Sequence, residues 1–230
     1  MTMASRFSWF LGSLLVVLFC HDVALSDNMP EDIKILQGMT RKGKLGQVGV
    51  LYLKGRDLSG LTCHEIAYNN AANVDANCNF APVFDVKLEG THETFRHSEW
   101  QLIYTALRPM LEKWQEANPT NSSNANCPES LYLYSYLAPD FIKNRRKFGH
   151  TCTQAIVRDI PKMLSDGGCS STNIVVGFSL VNPGLHLEEA CKAKKLITEK
   201  GITEYHLLST RADKQLECHG VSSKASSSTG

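Results

Sequence analysis

The sequence predicts one three-layer α/β/α domain with a central mixed sheet of about five strands. Through the second half of the chain, β-rich segments alternate with amphipathic helical segments, which is typical of parallel strands joined by crossover helices. One β-rich segment, residues 173–181, is nearly all apolar, as expected for a strand buried on both faces. An apolar fraction of 43% in 230 residues is enough for a substantial core. The net charge of +1 gives no general argument for binding to nucleic acid or to a membrane.

The first half of the domain contains two predicted strands and one long helix. Residues 46–55 are rich in β-forming residues, and residues 81–90 alternate in polarity before a glycine, so both are predicted strands. Residues 97–117 repeat apolar side chains at helical spacing, and the predicted inward stripe consists of Ile103, Ala106, Leu107, Met110 and Trp114. Pro109 inside this helix predicts a kink or a break near Leu107.

The second half alternates between strand and helix. Residues 130–138 are a predicted strand, because apolar and aromatic side chains fill this segment. Residues 152–165 are a predicted helix that ends at Gly167 and Gly168, and its inward side chains are Ile156, Ile160 and Met163 or Leu164. The remaining predicted elements are the strand at 173–181, a helix at 185–201 and a final strand at 202–209.

The two ends of the chain are predicted to lie outside the fold. Residues 1–26 combine Arg6, a short apolar run and the small-residue pattern Ala24-Leu25-Ser26, which predicts a secretory signal peptide cleaved before Asp27. The alternative is a membrane anchor, although the apolar run is shorter than the roughly 20 residues of a membrane span. The predicted organisation is therefore a signal peptide at 1–26, an N-terminal segment without clear periodicity at 27–45, a domain at 46–218 and a disordered Ser-rich tail at 219–230.

Secretion changes the interpretation of the cysteines, because disulfides form and persist in oxidising compartments. Cys20 leaves with the signal peptide, and seven cysteines remain, at 63, 78, 127, 152, 169, 191 and 218. Since seven is odd, one cysteine is left over as a thiol, an inter-chain bridge or a metal thiolate. Cys63 and Cys78 are a natural local pair. Asn121 opens an Asn-Ser-Ser sequon in a polar loop, so it is a predicted glycosylation site.

A histidine and a glutamate stand two residues apart where the first long helix begins. His97 and Glu99 precede the apolar stripe of that helix. They fit two interpretations. As ordinary first-turn residues they would be solvated, since a glutamate there suits the helix dipole. Alternatively, the histidine holds a metal ion while the glutamate moves protons.

The order of the elements and three short segments resemble a known family. "HSE" opens the first long helix, "YLAPD" ends the third strand and "HTC" opens the next helix. This arrangement resembles the zinc-dependent nucleobase deaminases, and among them the AID/APOBEC-like deaminases. The signal peptide and the many cysteines resemble a secreted branch of that group. The resemblance covers residues 46–210 and implies a cytidine-deaminase-like fold, a hydrolase and a role in immune defence.

The resemblance also implies roles for individual residues. In such a site one histidine and two cysteines hold Zn²⁺, and a glutamate outside the metal shell transfers protons. His97 would then be a zinc ligand and Glu99 the proton shuttle. The sequence departs from the family where Asp140 stands in place of the first cysteine; Cys152 follows after an insertion and is the expected second ligand, with a disulfide as its alternative role. Asp140 is the candidate third ligand, and His150 is its rival.

Substrate contacts are predicted beside this site. Ala138 stands where the family has a serine, and Tyr136 could stack on a base. A basic run could grip phosphate, or be a solvated loop or a dibasic processing site; its cations are Lys143, Arg145, Arg146 and Lys147. The predicted substrate is a cytosine- or adenine-type base in a nucleoside or a single-stranded nucleic acid. The alternatives are a deaminase-fold binding protein without turnover and an unrelated disulfide-bonded α/β binding protein.

Overall fold

The computed structural model describes residues 29–41, 48–55, 77–82, 84–86, 94–119, 126–139, 141, 151–181, 187–207 and 218. The chain divides into two compact units, Met1–Glu31 and Asp32–Gly230. The helices and strands described next belong to the second unit, apart from Glu31, the first residue of the first helix. The predicted signal peptide, the sequon at Asn121 and the Ser-rich tail lie outside the described residues.

A mixed five-stranded sheet forms the centre of the second unit, which confirms the predicted α/β class. Its strands follow the order β2-β1-β5-β6-β7. The strands are β1 (Val48–Lys54), β2 (Cys78–Pro82), β5 (Ser130–Leu137), β6 (Asn173–Leu180) and β7 (Thr203–His206). β1 is antiparallel to β2 and to β5, whereas β5, β6 and β7 run parallel, as the alternation of strands and helices predicts.

Six α-helical segments and two π-helical segments accompany the sheet in the described chain. The α-helices are α1 (Glu31–Arg41), α2 (Ser98–Gln101), α3 (Leu107–Ala117), α4 (Cys152–Gln154), α5 (Ile160–Asp166) and α6 (Leu187–Glu199). The first π segment, Leu102–Ala106, joins α2 to α3, and the second, Ala155–Asp159, joins α4 to α5. The two long helices predicted from periodicity are therefore each interrupted by one wide turn. Gly168 and Gly201 follow α5 and α6 with positive φ, a conformation that glycine adopts at little cost.

Two of the predicted elements are corrected by the structure. The strand predicted at 81–90 is replaced by β2, by β3 (Phe84–Val86) and by β4 (Thr94–Arg96), and β3 pairs with β4 in a separate antiparallel sheet. The N-terminal segment, predicted to lack periodic structure, contains α1. Ile33 and Leu36 are fully buried, and this spacing of three residues is the helical signal that the prediction missed.

The main core lies between one face of the sheet and the helices from α2 to α6. Leu51, Leu133 and Val176 stand in register across β1, β5 and β6 on that face, and all three are buried. The buried helix residues packed into the same core include Ile103, Leu107, Met110, Trp114, Ile156, Ile160, Leu164 and Ile197. Burying each of these large side chains stabilises the fold by about 1.5–3 kcal/mol. The inward stripe predicted for residues 97–117 is thereby confirmed.

α1 contacts the face of β6 that carries Gly177 and Ser179. A Cβ atom on Gly177 would lie 2.6 Å from the Ile33 side chain, so a glycine is needed for this approach. Gln37 Nε2 donates to Ser179 Oγ at 2.7 Å and to the Leu207 carbonyl at 3.1 Å. The three-layer, deaminase-like arrangement of these elements stays a prediction.

Two disulfides link elements of the described chain. Cys127 is bonded to Cys169 and Cys191 to Cys218, over sequence separations of 42 and 27 residues. Closing loops of these lengths stabilises a fold by about 3–4 kcal/mol in the chain-entropy treatment. Cys78 is also disulfide-bonded; Cys63, its predicted partner, lies outside the described residues. Within the described segments, no helix has the length and apolar character that a membrane crossing requires.

Glu204 on β7 makes folding stability depend on pH. Its Oε2 is buried and has no hydrogen-bond partner among the described residues, and burial raises the pKa of this carboxyl from 4.5 to about 7, against a small opposing effect of Lys194. Below pH 4.5 the carboxyl is protonated whether the chain is folded or not. Between pH 4.5 and 7 only the unfolded chain ionises, so the free energy of unfolding falls as the pH rises.

We expect Glu204→Gln to stabilise the protein at pH 8 by up to about 3 kcal/mol, the value of a shift of roughly 2.5 pKa units. At pH 4 the variant should differ little from the parent. Urea unfolding with the disulfides intact measures this, and Glu199→Gln, an exposed carboxyl of α6, is the matched control. Equal stabilities of Glu204→Gln and the parent at pH 8 would contradict the prediction.

Candidate metal centre

His97 lies at the point where the chain changes from extended to helical. Its backbone is extended, with φ −60° and ψ 146°, and its carbonyl accepts the Gln101 N–H at 3.1 Å. Its side chain makes no capping hydrogen bond, so the imidazole is not committed to the helix end. Glu99 follows in the first turn of α2 and is only 1% exposed. The solvated first-turn role that the sequence also allowed is therefore wrong for Glu99.

The first turn of α2 packs directly on the sheet at Gly49. A Cβ atom at this position would lie 3.0 Å from Ser98 Oγ and 3.0 Å from the Leu102 side chain, tighter than ordinary contacts. Gly49 pairs with Ser135 on β5, so both positions face α2 from neighbouring strands. The absence of a side chain at Gly49 lets the helix approach β5 closely enough for Glu99 to reach it.

Two serine hydroxyls hold the Glu99 carboxylate. Ser135 Oγ donates to Oε1 at 2.5 Å, and Ser98 Oγ donates to Oε2 at 3.2 Å. Ser98 and Ser135 are themselves buried. A buried carboxylate is costly unless it is hydrogen-bonded, so these hydroxyls both offset the burial and fix the direction in which the carboxylate points.

Cys152 is the first residue of α4 and is placed there by a capping box. Thr151 Oγ1 accepts the Gln154 N–H and the Gln154 side chain accepts the Thr151 N–H, both at 3.0 Å. Reciprocal bonds of this kind fix where a helix begins. Thr153 Oγ1 donates to the Pro139 carbonyl at 3.3 Å, which ties the end of β5 to α4. Cys152 keeps its thiol and is 7% exposed, so its alternative role in a disulfide is wrong.

The structure brings His97, Glu99 and Cys152 into one cluster. Their potential ligand atoms all lie within 4.8 Å of one another. An imidazole nitrogen, a thiolate and a carboxylate oxygen are the donor types that zinc accepts in proteins. Calcium and magnesium prefer sets made only of oxygen, so this donor set fits zinc better than either. The cluster is close enough to hold a metal ion, as the sequence predicts.

Of the other ligand and substrate residues predicted from the sequence, only Tyr136 and Ala138 are among the described residues. Asp140, His150 and the basic run at 143–147 fall outside them; Pro139, the neighbour of Asp140, is the residue bonded to Thr153. The Ala138 N–H donates to the Leu180 carbonyl at 2.7 Å. Tyr136 alternates with Ser135 along β5, so its side chain leaves the sheet on the face opposite Glu99. The proposed base contacts of Tyr136 and Ala138 stay predictions.

Sequence reasoning missed the residues that support the cluster. Ser135 stands in the same inward row of β5 as Leu131 and Leu133, and one polar residue in an apolar row is a readable signal. Thr151 and Gln154 form the Thr-x-x-Gln capping pattern, which is also readable. Nothing local to Gly49 or Ser98 announces their contact, because it joins segments far apart in the sequence.

Comparison with known proteins finds no relative: no family model, no curated protein and no solved structure matches the chain.

Proposed function

We propose that this protein is a zinc-dependent hydrolase that removes the exocyclic amine of a cytosine- or adenine-type base. The observation that carries the proposal is the convergence of His97, Glu99 and Cys152, with ligand atoms within 4.8 Å of one another. These residues come from two helix starts at one end of the sheet, and Glu99 is buried and oriented by two hydroxyls. The resemblance of "HSE" and "HTC" to deaminase segments supports the choice of reaction.

His97 and Cys152 would hold the zinc ion, with Asp140 or His150 as the third protein ligand. A zinc ion held in this way supplies a nucleophile at neutral pH, because it lowers the pKa of a water to about 7. Cys152 keeps its buried thiol, and the His97 side chain makes no capping hydrogen bond, so both side chains suit this role.

Glu99 would carry the protons. Deamination replaces the C–N bond to the amine by a C=O bond, consumes one water and releases ammonia. The carboxylate first takes a proton from the attacking water and passes it to the neighbouring ring nitrogen. It then takes the second proton and delivers it to the departing amine. Ser135 and Ser98 keep one rotamer of the side chain through both transfers, so that a single group serves both positions.

The substrate and the compartment complete the proposal. A nucleoside and a single-stranded nucleic acid are both compatible with the chemistry of the cluster, and the basic run at 143–147 is the segment that would favour the polymer. Disulfides are typical of oxidising compartments, which supports secretion. A role in defence rests on the family resemblance alone.

A second function is favoured by one specific departure. Asp140 occupies the position where deaminases have their first zinc cysteine, and zinc prefers soft thiolate donors to oxygen. A protein with the deaminase fold that binds a nucleotide without converting it is consistent with this change. Turnover separates the two functions.

The test uses mature protein produced through a secretory pathway, so that its disulfides form. Elemental analysis should find one zinc per chain. Ammonia release is then measured with cytidine, deoxycytidine, adenosine and single-stranded oligonucleotides. We expect release from at least one of them; zinc without release from any would support the binding protein, and the absence of stoichiometric zinc would overturn the proposed centre.

A further inference from the structure

Both helices that carry the cluster contain a π segment just below it. In the first, the Leu107 N–H bonds to the Leu102 carbonyl, and in the second, the Ile160 N–H bonds to the Ala155 carbonyl. Each bond spans five residues instead of four, so each turn holds one extra residue. π segments are rare and occur frequently at functional sites, and here two of them lie against each other.

Prolines in both helices explain why the wide turns form where they do. A proline has no N–H and its ring displaces the carbonyl four residues earlier. For Pro109 that carbonyl belongs to Thr105, and for Pro161 it belongs to Val157. Both carbonyls lie inside the π segments. The predicted break near Leu107 therefore takes the form of a wide turn that ends at Ala106.

Side-chain hydrogen bonds of Tyr104 join the two π segments. The Tyr104 hydroxyl donates to Asp159 Oδ2, and Arg158 binds both oxygens of the same carboxylate at 2.6 and 3.0 Å. Burial and the bond to Asp159 raise the pKa of Tyr104, which keeps its hydroxyl a donor. The Trp100 ring packs against Tyr104, with ring centroids 4.8 Å apart and the ring planes tilted by 45°.

The positions of the bonded pair match the positions of the cluster. Tyr104 comes seven residues after His97, and Asp159 comes seven residues after Cys152. The Tyr104–Asp159 bond therefore joins the two helices about 10 Å along each helix axis from His97 and from Cys152. Because the bond lies equally far along both helices, it controls the distance between their first residues, near His97 and Cys152.

We propose that the Tyr104–Asp159 hydrogen bond and the two π segments form an inter-helix clamp that holds His97 and Cys152 at metal-binding separation. The inference rests on the proposed zinc centre. Conversion of either π segment to an ordinary α-helix would turn the cluster end of that helix by about 100°, the angle of one residue. The clamp opposes this change by fixing one residue of each π segment to the other. Tyr104 and Asp159 are positioning residues and touch neither the metal nor the substrate.

The experiment removes the bond and keeps the packing. Tyr104→Phe retains the ring that packs against Trp100, and Asp159→Leu retains a side chain of similar shape that cannot accept a hydrogen bond. The readouts are Co²⁺ affinity by chelator competition, the absorption bands of bound Co²⁺, which report its geometry, and the melting temperature of the metal-free protein. We expect each single variant to bind Co²⁺ about tenfold more weakly, the change in affinity that corresponds to the loss of one hydrogen bond. The double variant should be no weaker than the weaker single variant, because both changes break one bond.

Two controls separate the clamp from general loss of stability. Lys162→Gln removes the exposed ion pair to Asp166 on the same helix, 2.7 Å long, and should leave Co²⁺ affinity unchanged. Val176→Ala weakens the buried core of β6 and should lower the melting temperature with little effect on the Co²⁺ bands. A Tyr104→Phe affinity within twofold of the parent value would overturn the clamp. A parent protein that binds no stoichiometric Co²⁺ would overturn the zinc centre, and the clamp with it.

Discussion

Glu99→Gln is expected to keep one zinc per chain and to lose deaminase turnover by at least about 10²-fold, the lower end of what a positioned acid–base group contributes. The amide matches the carboxylate in shape and can still bond to Ser135 and Ser98, but it cannot accept a proton from water. Zinc is measured by elemental analysis and turnover by ammonia release. His97→Ala, by contrast, should lose both the metal and the activity.

The control for Glu99→Gln is Glu116→Gln, which removes an exposed carboxylate from α3. It should match the parent protein in zinc content and in rate. The result that contradicts the proton role is a Glu99→Gln protein without zinc. Since one Glu99 oxygen lies within the same 4.8 Å cluster, that outcome would make Glu99 a ligand and would leave the reaction without its base.

Cys152→Ser is expected to lower zinc affinity by more than the roughly 100-fold that follows the loss of an outer partner. The serine keeps the size of the side chain and disturbs no disulfide, because Cys152 retains its thiol in the parent protein. What changes is the donor, from a thiolate that zinc prefers to a neutral hydroxyl. Chelator competition measures the affinity. Unchanged affinity in Cys152→Ser would remove Cys152 from the metal centre.

The third ligand is identified by the same measurement on Asp140→Ala and His150→Ala. Only one of the two should lose affinity to the extent of Cys152→Ser, and the other then serves as its matched control. If Asp140 is the ligand, the parent protein should release zinc to a chelator readily, since an oxygen donor replaces a thiolate. If neither variant loses affinity, both assignments made from the sequence are wrong.

Much of the fold could be predicted from local patterns in the sequence. The apolar run of β6, the inward stripe from Ile103 to Trp114 and the alternation of strand and helix after residue 130 all appear in the structure. These features depend on periods of two and 3.6 residues, which any stretch of the chain displays without its neighbours. The same reasoning missed α1, because the apolar pattern of this helix extends over only a few residues. It also misplaced the second strand, because β2 pairs with β1 and ends before most of the alternating pattern at 81–90.

The candidate site divides in the same way. The sequence by itself determined which chemical groups are available: an imidazole and a carboxylate two residues apart at a helix start, and one cysteine left over from an odd number. Only the tertiary structure decided that these groups meet, because the meeting depends on contacts between distant segments. Gly49 leaves space for α2, Ser135 receives Glu99, and the Tyr104–Asp159 bond joins the two helices. The periodicity of a single segment does not predict such contacts. Each of them stabilises the protein only after the folding of the sheet has brought both partners together.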